Sequence, residues 1–306
     1  SMTVLYTRLA SRLATPLSLR PQQFTQRRLL SWRSRLFAGV MIGLLVGMLI
    51  LPLASLALRS VIRLEPDRGQ RVFQPGFTLD FYRELSINRR QSIFYAPPAT
   101  AIGVSMGYAG MTAGLSLLLG LPTAIALTRS DSKLNRLLDP LLMLPLGTSA
   151  VTLGLGFIVA LDQPPLDLRA SWLLVPLAHT LVAYPFVVRS LTPALRSIRP
   201  RIRQAGAVMG ASPMQVFLRI DLPMVGRALT IAATFAFTIS LGEFGATALI
   251  ARPEYPTLPI AIYRFISQPG AMNYGQAIAL STLLMLITAA GMLAIERLRF
   301  AEVEEF

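Results

Sequence analysis

No cysteine occurs in this 306-residue chain, which excludes disulfides, thiolate metal sites and a cysteine nucleophile. Histidine is reduced to one residue, His179, and no HExxH zinc pair is present. An intramembrane enzyme needs a nucleophile with its base, or a metal site, and the chain supplies neither. The GxxxxGK[ST] loop is missing as well, and with it the backbone nest and lysine that hold nucleotide phosphates. If ATP drives this protein, another chain binds it. Charge is scarce at 14% of residues, and residues 1–64 contain no acid. In place of these stands apolar surface: 53% of residues are hydrophobic and the mean hydropathy is +0.56, a balance that belongs to a membrane protein.

Crossing a bilayer as a helix takes about 20 apolar residues, and six runs meet that length. Residues 37–58, 98–128, 140–161, 170–188 and 265–295 carry no formal charge, and 228–251 carries only Glu243. The expectation is an all-α membrane protein, a bundle of six transmembrane helices within 37–299. Runs of 31 residues exceed one crossing, so part of each must tilt or leave the hydrocarbon. Gly43 with Gly47 and Gly103 with Gly107 have the spacing that lets membrane helices approach closely.

A net charge of +14 is compatible with phosphate neutralisation on nucleic acid, but its distribution argues against that partner. With six spans, the N-terminal tail, residues 129–136, residues 189–227 and the C-terminal tail share one side, and they hold 19 of the 29 Lys and Arg residues. The excess of basic residues places that side, both termini included, in the cytoplasm.

Between the fourth and fifth runs lies Gln204 to Pro223, QAGAVMGASPMQVFLRIDLP, polar and flanked by Arg. Its chemistry predicts two short helices joined at a sharp bend. Pro200 opens the first, where its missing amide hydrogen costs nothing, and Ile202, Ala205, Val208 and Met209 form an apolar face. Gly210 suits the position that leaves a helix with positive φ. Ser212, Pro213 and Gln215 make a capping box for the second helix, whose apolar face is Met214, Phe217 and Leu218, with Pro223 at its end.

The spacing of Ala205, Gly210, Ile220, Leu222 and Pro223 resembles the EAA signature of ATP-binding-cassette (ABC) importer permeases. That resemblance covers most of residues 98–299 and implies a type I ABC importer permease fold with a cytoplasmic EAA-like loop over 196–227. In the family the first short helix of the loop docks in a groove of an ATPase subunit. Carried over, Gln204, Ala205, Gly206 and Gly210 form the docking bend, while Ile220, Leu222 and Pro223 anchor the loop to the next span. Gln204 stands where the family often has Glu, and Gly206 where it has a second Ala, so a salt bridge from Gln204 is in doubt. Residues 240–263, SLGEFGATALIARPEYPTLPIAIY, look like the region after the signature in thiamine, ferric-iron and oxyanion importer permeases.

The resemblance implies no directly bound cofactor, with ATP and Mg on the partner. The implied partners are two cytoplasmic ABC ATPase subunits, a second permease module, either a fused N-terminal half or another chain, and a periplasmic or lipid-anchored solute-binding protein, in a bacterial inner membrane. The expected substrate is ferric iron or thiamine, with sulfate, molybdate or a polyamine as alternatives. A carrier or channel independent of ATP is the competing class, although residues 37–161 do not visibly repeat 170–295 as an inverted-repeat carrier would.

Three smaller expectations complete the reading. Glu243, between Gly242 and Phe244–Gly245 in an apolar run, either lines a pathway or gate or bonds neighbouring backbone, since a carboxylate there must face protein or water. His179 is expected to be hydrogen-bonded between helices rather than to ligate a metal, with Tyr108, Asp162 and Tyr184 as supplements only if folding gathers them. The segment 61–97, including PGFTLDFYREL, Arg89 and Arg90, reads as a solvated external loop or a contact for the binding protein. Residues 1–36 read as an Arg-rich cytoplasmic tail or inter-module connector, an interfacial stretch on Leu5, Leu9, Leu13, Arg8 and Arg12, or a targeting sequence. Ser1 ahead of Met2 suggests a cloning scar or a cut piece, and 300–306 form a short cytoplasmic tail.

Overall fold

Inside a bilayer every backbone N–H and C=O must be paired within the protein, which favours helix wherever the sequence is apolar. The computed structural model describes residues 31–63, 76–88, 95–129, 133–161, 163, 168–169 and 171–301. The readings placed on residues 1–30, Arg89, Arg90, Asp162 and residues 302–306 lie outside them. The chain divides into two compact units, Ser1–Ala54 and Ser55–Phe306. The described part of the first is most of one apolar helix, α1 (Trp32–Arg59), which runs on into the second.

In the second unit a two-residue antiparallel ladder, β1 (Ile62–Arg63) with β2 (Gly76–Phe77), pairs Ile62 with Phe77 and Arg63 with Gly76. After it, α2 (Asp80–Glu84) packs Phe81 and Leu85 into a cluster with Ala101, Leu258, Ala261 and Leu280. The expectation of a solvated loop is therefore corrected for this stretch: Phe81 and Leu85, one helical turn apart in LDFYREL, are buried while Leu79 and Arg83 stay exposed. Tyr95 Oη donates to the carbonyl of Leu85 (2.6 Å) and secures its end.

The long helices follow: α3 (Pro98–Arg129), α6 (Leu174–Ser197) and α12 (Ala271–Ala301). With α1 they are, among the described residues, the four single helices long and apolar enough to cross a membrane. The third expected span is not one helix. Residues 133–160 fold as α4 (Lys133–Leu142), a tight 3₁₀ turn at Leu144–Gly147, and α5 (Ala150–Ala160). Eleven residues rise only about 16 Å, roughly half the hydrocarbon thickness. Pro145 and Gly147 break the run that hydropathy alone joins.

Three other expected spans also shift. The fourth begins later and continues nine residues beyond Val188, because charge at Arg189 and Arg196 ends an apolar run without ending a helix. The sixth is split at Ser267–Gly270, where Pro269 and the positive φ of Gly270 separate α11 (Leu258–Ile266) from α12. The fifth is a bent pair, α8 (Pro213–Met224) and α9 (Gly226–Gly242), meeting at 69°. Between α6 and α8 lies α7 (Pro200–Val208), and α10 (Thr247–Ile250) follows α9.

The core joins α3, α6 and α9 through Ala124, Ala183, Val187, Leu191, Leu195, Ala232 and Ala236. The close approach is made at Gly120, where an added Cβ would stand 2.6 Å from Val187 Cγ1. At Gly43, Gly47, Gly103 and Gly107 a Cβ meets nothing within 4 Å, so the small-residue seam expected from their spacing is not used at those positions. Gly120→Ala is expected to lose about 1–3 kcal/mol by overpacking, seen as a lower unfolding midpoint in detergent. Gly103→Ala should leave the midpoint unchanged.

Candidate functional site

The α6–α9 connection folds as its caps dictate. Arg199 precedes Pro200 at the first turn of α7, and Gly210 leaves that helix at φ 84°. Ser212 Oγ accepts from the Gln215 amide (3.3 Å) while the Gln215 side chain accepts from the Ser212 amide (2.8 Å), completing the capping box. The two helices meet through Gly206, whose added Cβ would lie 2.9 Å from Ile220 Cδ1. The glycine at the second Ala position of the signature thus makes room for Ile220.

Ile220 turns back onto α7, and the residue that fixes the connection to the next span is Val225, wholly buried with Leu195 and Ile198. Leu222 is half-buried and Pro223 exposed. A wide π-type turn at Phe217–Asp221 brings Asp221, 1% exposed, against α7, where Arg203 Nε donates to its Oδ1 at 2.7 Å. Composition showed a basic loop but not this pair, because its partners are 18 residues apart and follow no helical spacing.

The faces expected to be apolar do not pack inward. Val208 is 88% exposed, Met209 82% and Met214 65%, and Ile202, Gln204, Ala205 and Leu218 are exposed too. The loop is held together by Gly206, Val216, Ile220 and the ion pair, leaving an apolar ridge in the open.

A second feature lies at the far end of α9. The helix stops at Gly242, and Glu243 is extended, with φ −74° and ψ 114°. Its carboxylate Oε1 accepts from the Ala246 amide (2.9 Å), and Thr247 Oγ1 donates to its carbonyl (3.1 Å). The side chain therefore bonds neighbouring backbone. α5 seats against this break: an added Cβ on Gly154 would lie 3.0 Å from the Ala246 backbone, and one on Gly245 would lie 3.2 Å from Ala150 Cβ. Gly242 and Phe244 stay exposed, and the Phe244 ring lies 5.2 Å from that of Tyr263.

His179, 1% exposed, is hydrogen-bonded between helices. Its Nδ1 is 2.8 Å from Ser240 Oγ on α9 and its Nε2 is 2.6 Å from Thr247 Oγ1 on α10. Ser240 continues to Thr112 on α3 at 3.2 Å. Tyr108 packs with Leu174 and Ala178 in a neighbouring cluster and is not among these partners. Among the described residues no group of three or more His, Asp or Glu side chains is placed to hold a metal ion.

Comparison with known proteins agrees with this architecture. A family model described as "Binding-protein-dependent transport system inner membrane component" matches residues 116–299, more than half of the chain. A protein of Salmonella paratyphi A (strain ATCC 9150 / SARB42) bearing the name 2-aminoethylphosphonate transport system permease protein PhnV is 27% identical over 267 residues, covering 87% of this chain and 95% of its own. The molybdenum transport system permease protein ModB of Mycobacterium tuberculosis (strain ATCC 25618 / H37Rv) is 34% identical over 210 residues, covering 64% and 78%. Among solved structures, a chain of a bacterial ABC transporter involved in the import of the acidic polysaccharide alginate aligns with TM-score 0.59 at 16% identity, over 89% of this chain and 99% of that one.

Removing one partner of a buried ion pair leaves the other charge in apolar surroundings. Arg203→Ala is expected to destabilise the chain by about 3 kcal/mol, the low end for such pairs because the guanidinium is partly hydrated. A double-mutant cycle with Asp221→Asn, read by thermal unfolding in detergent, should show strong coupling between the two sites; additive losses would deny that they act as a pair.

Proposed function

The chain belongs to the binding-protein-dependent transport system inner membrane component family and is a permease subunit of an ABC importer, and we propose that its cargo is a tetrahedral oxyanion of the phosphonate, molybdate or sulfate kind. Support for this substrate class comes from the names of the phosphonate and molybdenum permeases it resembles over much of its length. Ferric iron and thiamine find no support among those names. As a non-catalytic subunit the chain forms half of a pathway, with a second permease module, fused or separate, forming the other half.

The observation that carries the coupling role is the prefolded loop with an exposed apolar ridge. Val208, Met209 and Met214 stand outward on a scaffold fixed by Gly206, Ile220 and Arg203–Asp221, an arrangement suited to docking by shape on an ATPase subunit. Gln204 and Ala205 lie on that outward surface, and Gly210 sets its bend. Two such ATPases hold the ATP and Mg, and their closure moves the loop. The excess of Lys and Arg beside the loop places it, with both termini of residues 37–299 and the flanking tails, on the cytoplasmic face of a bacterial inner membrane. A periplasmic or lipid-anchored binding protein delivers the solute to the other face. Gly242, Glu243, Phe244 and Gly245, where α9 breaks, are the gate of the pathway.

Purification of the protein in mild detergent from its native membrane should recover a nucleotide-binding ATPase, and uptake in proteoliposomes should require ATP. Labelled molybdate or phosphonate uptake should be competed by other tetrahedral oxyanions but not by thiamine or ferric iron. Recovery without an ATPase, with uptake indifferent to ATP, would point to a carrier or channel. Gly210→Leu forces a side chain into left-handed backbone at a cost of about 1–2 kcal/mol, and ATP hydrolysis should persist while uptake falls. Glu243→Gln retains the acceptor for the Ala246 amide and should keep most uptake, whereas Glu243→Leu should abolish it. Loss in the Gln variant would show that charge, not the cap, is required.

A further inference from the structure

Where the chain leaves the helix between Gly242 and Thr247, Ala246 packs with Leu174, Val175 and Ala178 of α6 and α5 seats against the turn. The Glu243 carboxylate closes the turn locally, and His179 ties the break to α6 by side-chain hydrogen bonds at both of its ring nitrogens. One nitrogen meets Ser240 on the last turns of α9, before the break, and the other meets Thr247, just after it. The ring therefore spans the break from one side to the other, with its own backbone on α6.

Each neighbour is a hydroxyl with one proton to give; Thr247 gives its own to the Glu243 carbonyl, so it accepts from Nε2–H, and a neutral imidazole protonated there is paired at both nitrogens, with Ser240 donating to Nδ1. Ser240 passes the connection to Thr112 on α3, and Thr247 passes it to the Glu243 carbonyl. Ser240, Thr247 and Thr112 are all buried with His179. No water is needed to complete these contacts, and no apolar side chain of similar size could replace them.

The same two helices are joined at their other ends. α6 runs into the α7–α8 loop, and α9 emerges from it, with Leu195, Ile198 and Val225 packed together. We propose that His179 is a positioning residue for transport: it clamps the 242–247 break to α6, so that a displacement of the α7–α8 loop is delivered to the break instead of being lost in a loose turn. This rests on the importer reading and adds to it a residue that acts through the break.

The test uses the whole complex, permease modules, ATPases and binding protein, in proteoliposomes with molybdate as the probe solute. Because the chain lacks cysteine, Ala248→Cys on the exposed side of α10 carries a single nitroxide that reports mobility of the break. In His179→Leu, and independently in Thr247→Val, the complex should assemble and hydrolyse ATP, the label should become mobile, and solute carried per ATP should fall roughly tenfold. Thr247→Ser, which restores the hydroxyl, should recover both readings. Uptake per ATP at the wild-type level in Thr247→Val and His179→Leu would overturn the proposal, as would lost uptake with an immobile label. Uptake by the unmutated complex that ignores ATP would instead overturn the importer reading, and so the two failures are told apart.

Discussion

Leaving a helix in apolar surroundings is the act this structure has to manage, because an unpaired amide or carbonyl in hydrocarbon costs several kcal/mol. Long stretches of the chain avoid the problem by staying helical through α1, α3, α6 and α12. Where it breaks, polar side chains replace the missing partners. At 242–247 the Glu243 carboxylate takes the Ala246 amide and Thr247 donates to the Glu243 carbonyl. At the start of α11, Ser105 on α3 accepts from the Leu258 amide at 2.8 Å. The position of each break is therefore fixed by a few side chains, and each is a place where the backbone can change direction.

The α7–α8 loop solves a different problem. It presents an apolar surface without collapsing onto it: Val208, Met209 and Met214 stay exposed. Its rigidity comes from small or polar contacts: a glycine that lets Ile220 lie across α7, a capping box, and the Arg203–Asp221 pair. A buried ion pair is weak evidence for net stability, since desolvation offsets much of the attraction. Its directional geometry still selects one arrangement of two short helices that caps alone would leave free to hinge at Gly210.

Local chemistry was legible wherever a residue type has one dominant conformational use. Pro200, Gly210 and Ser212 with Gln215 stand where the residues say they should, because caps and positive φ depend on the nearest few residues alone. Hydropathy located the four long helices for the same reason that it misjudged the third span: it sums transfer cost and is blind to Pro145 and Gly147, which interrupt the backbone without adding charge. The direction of the loop's apolar faces was not legible, since periodicity shows that a face exists and not whether protein covers it. Arg203–Asp221 and His179 with Ser240 and Thr247 were out of reach for a further reason. These contacts join residues 18, 61 and 68 positions apart, and only the packing of α6, α9 and the loop brings them together.

That packing also decides where motion can go. α6 contains Pro185 and Pro193, each of which removes a backbone hydrogen bond and favours a bend. Yet Val187, Val188, Leu191 and Leu195 around them are almost wholly buried, so neighbouring side chains resist bending there. α9 is likewise embedded through Ala232, Ala236, Phe237 and Leu241. A helix gripped along its length moves as a body. The compliant points that remain are its two ends: the 69° bend at Val225 and the break after Gly242. With the loop at one end and the break at the other, α9 is built as a strut, and whatever displaces the loop must reappear at Glu243 unless the contacts that bind the break to its neighbours give way first.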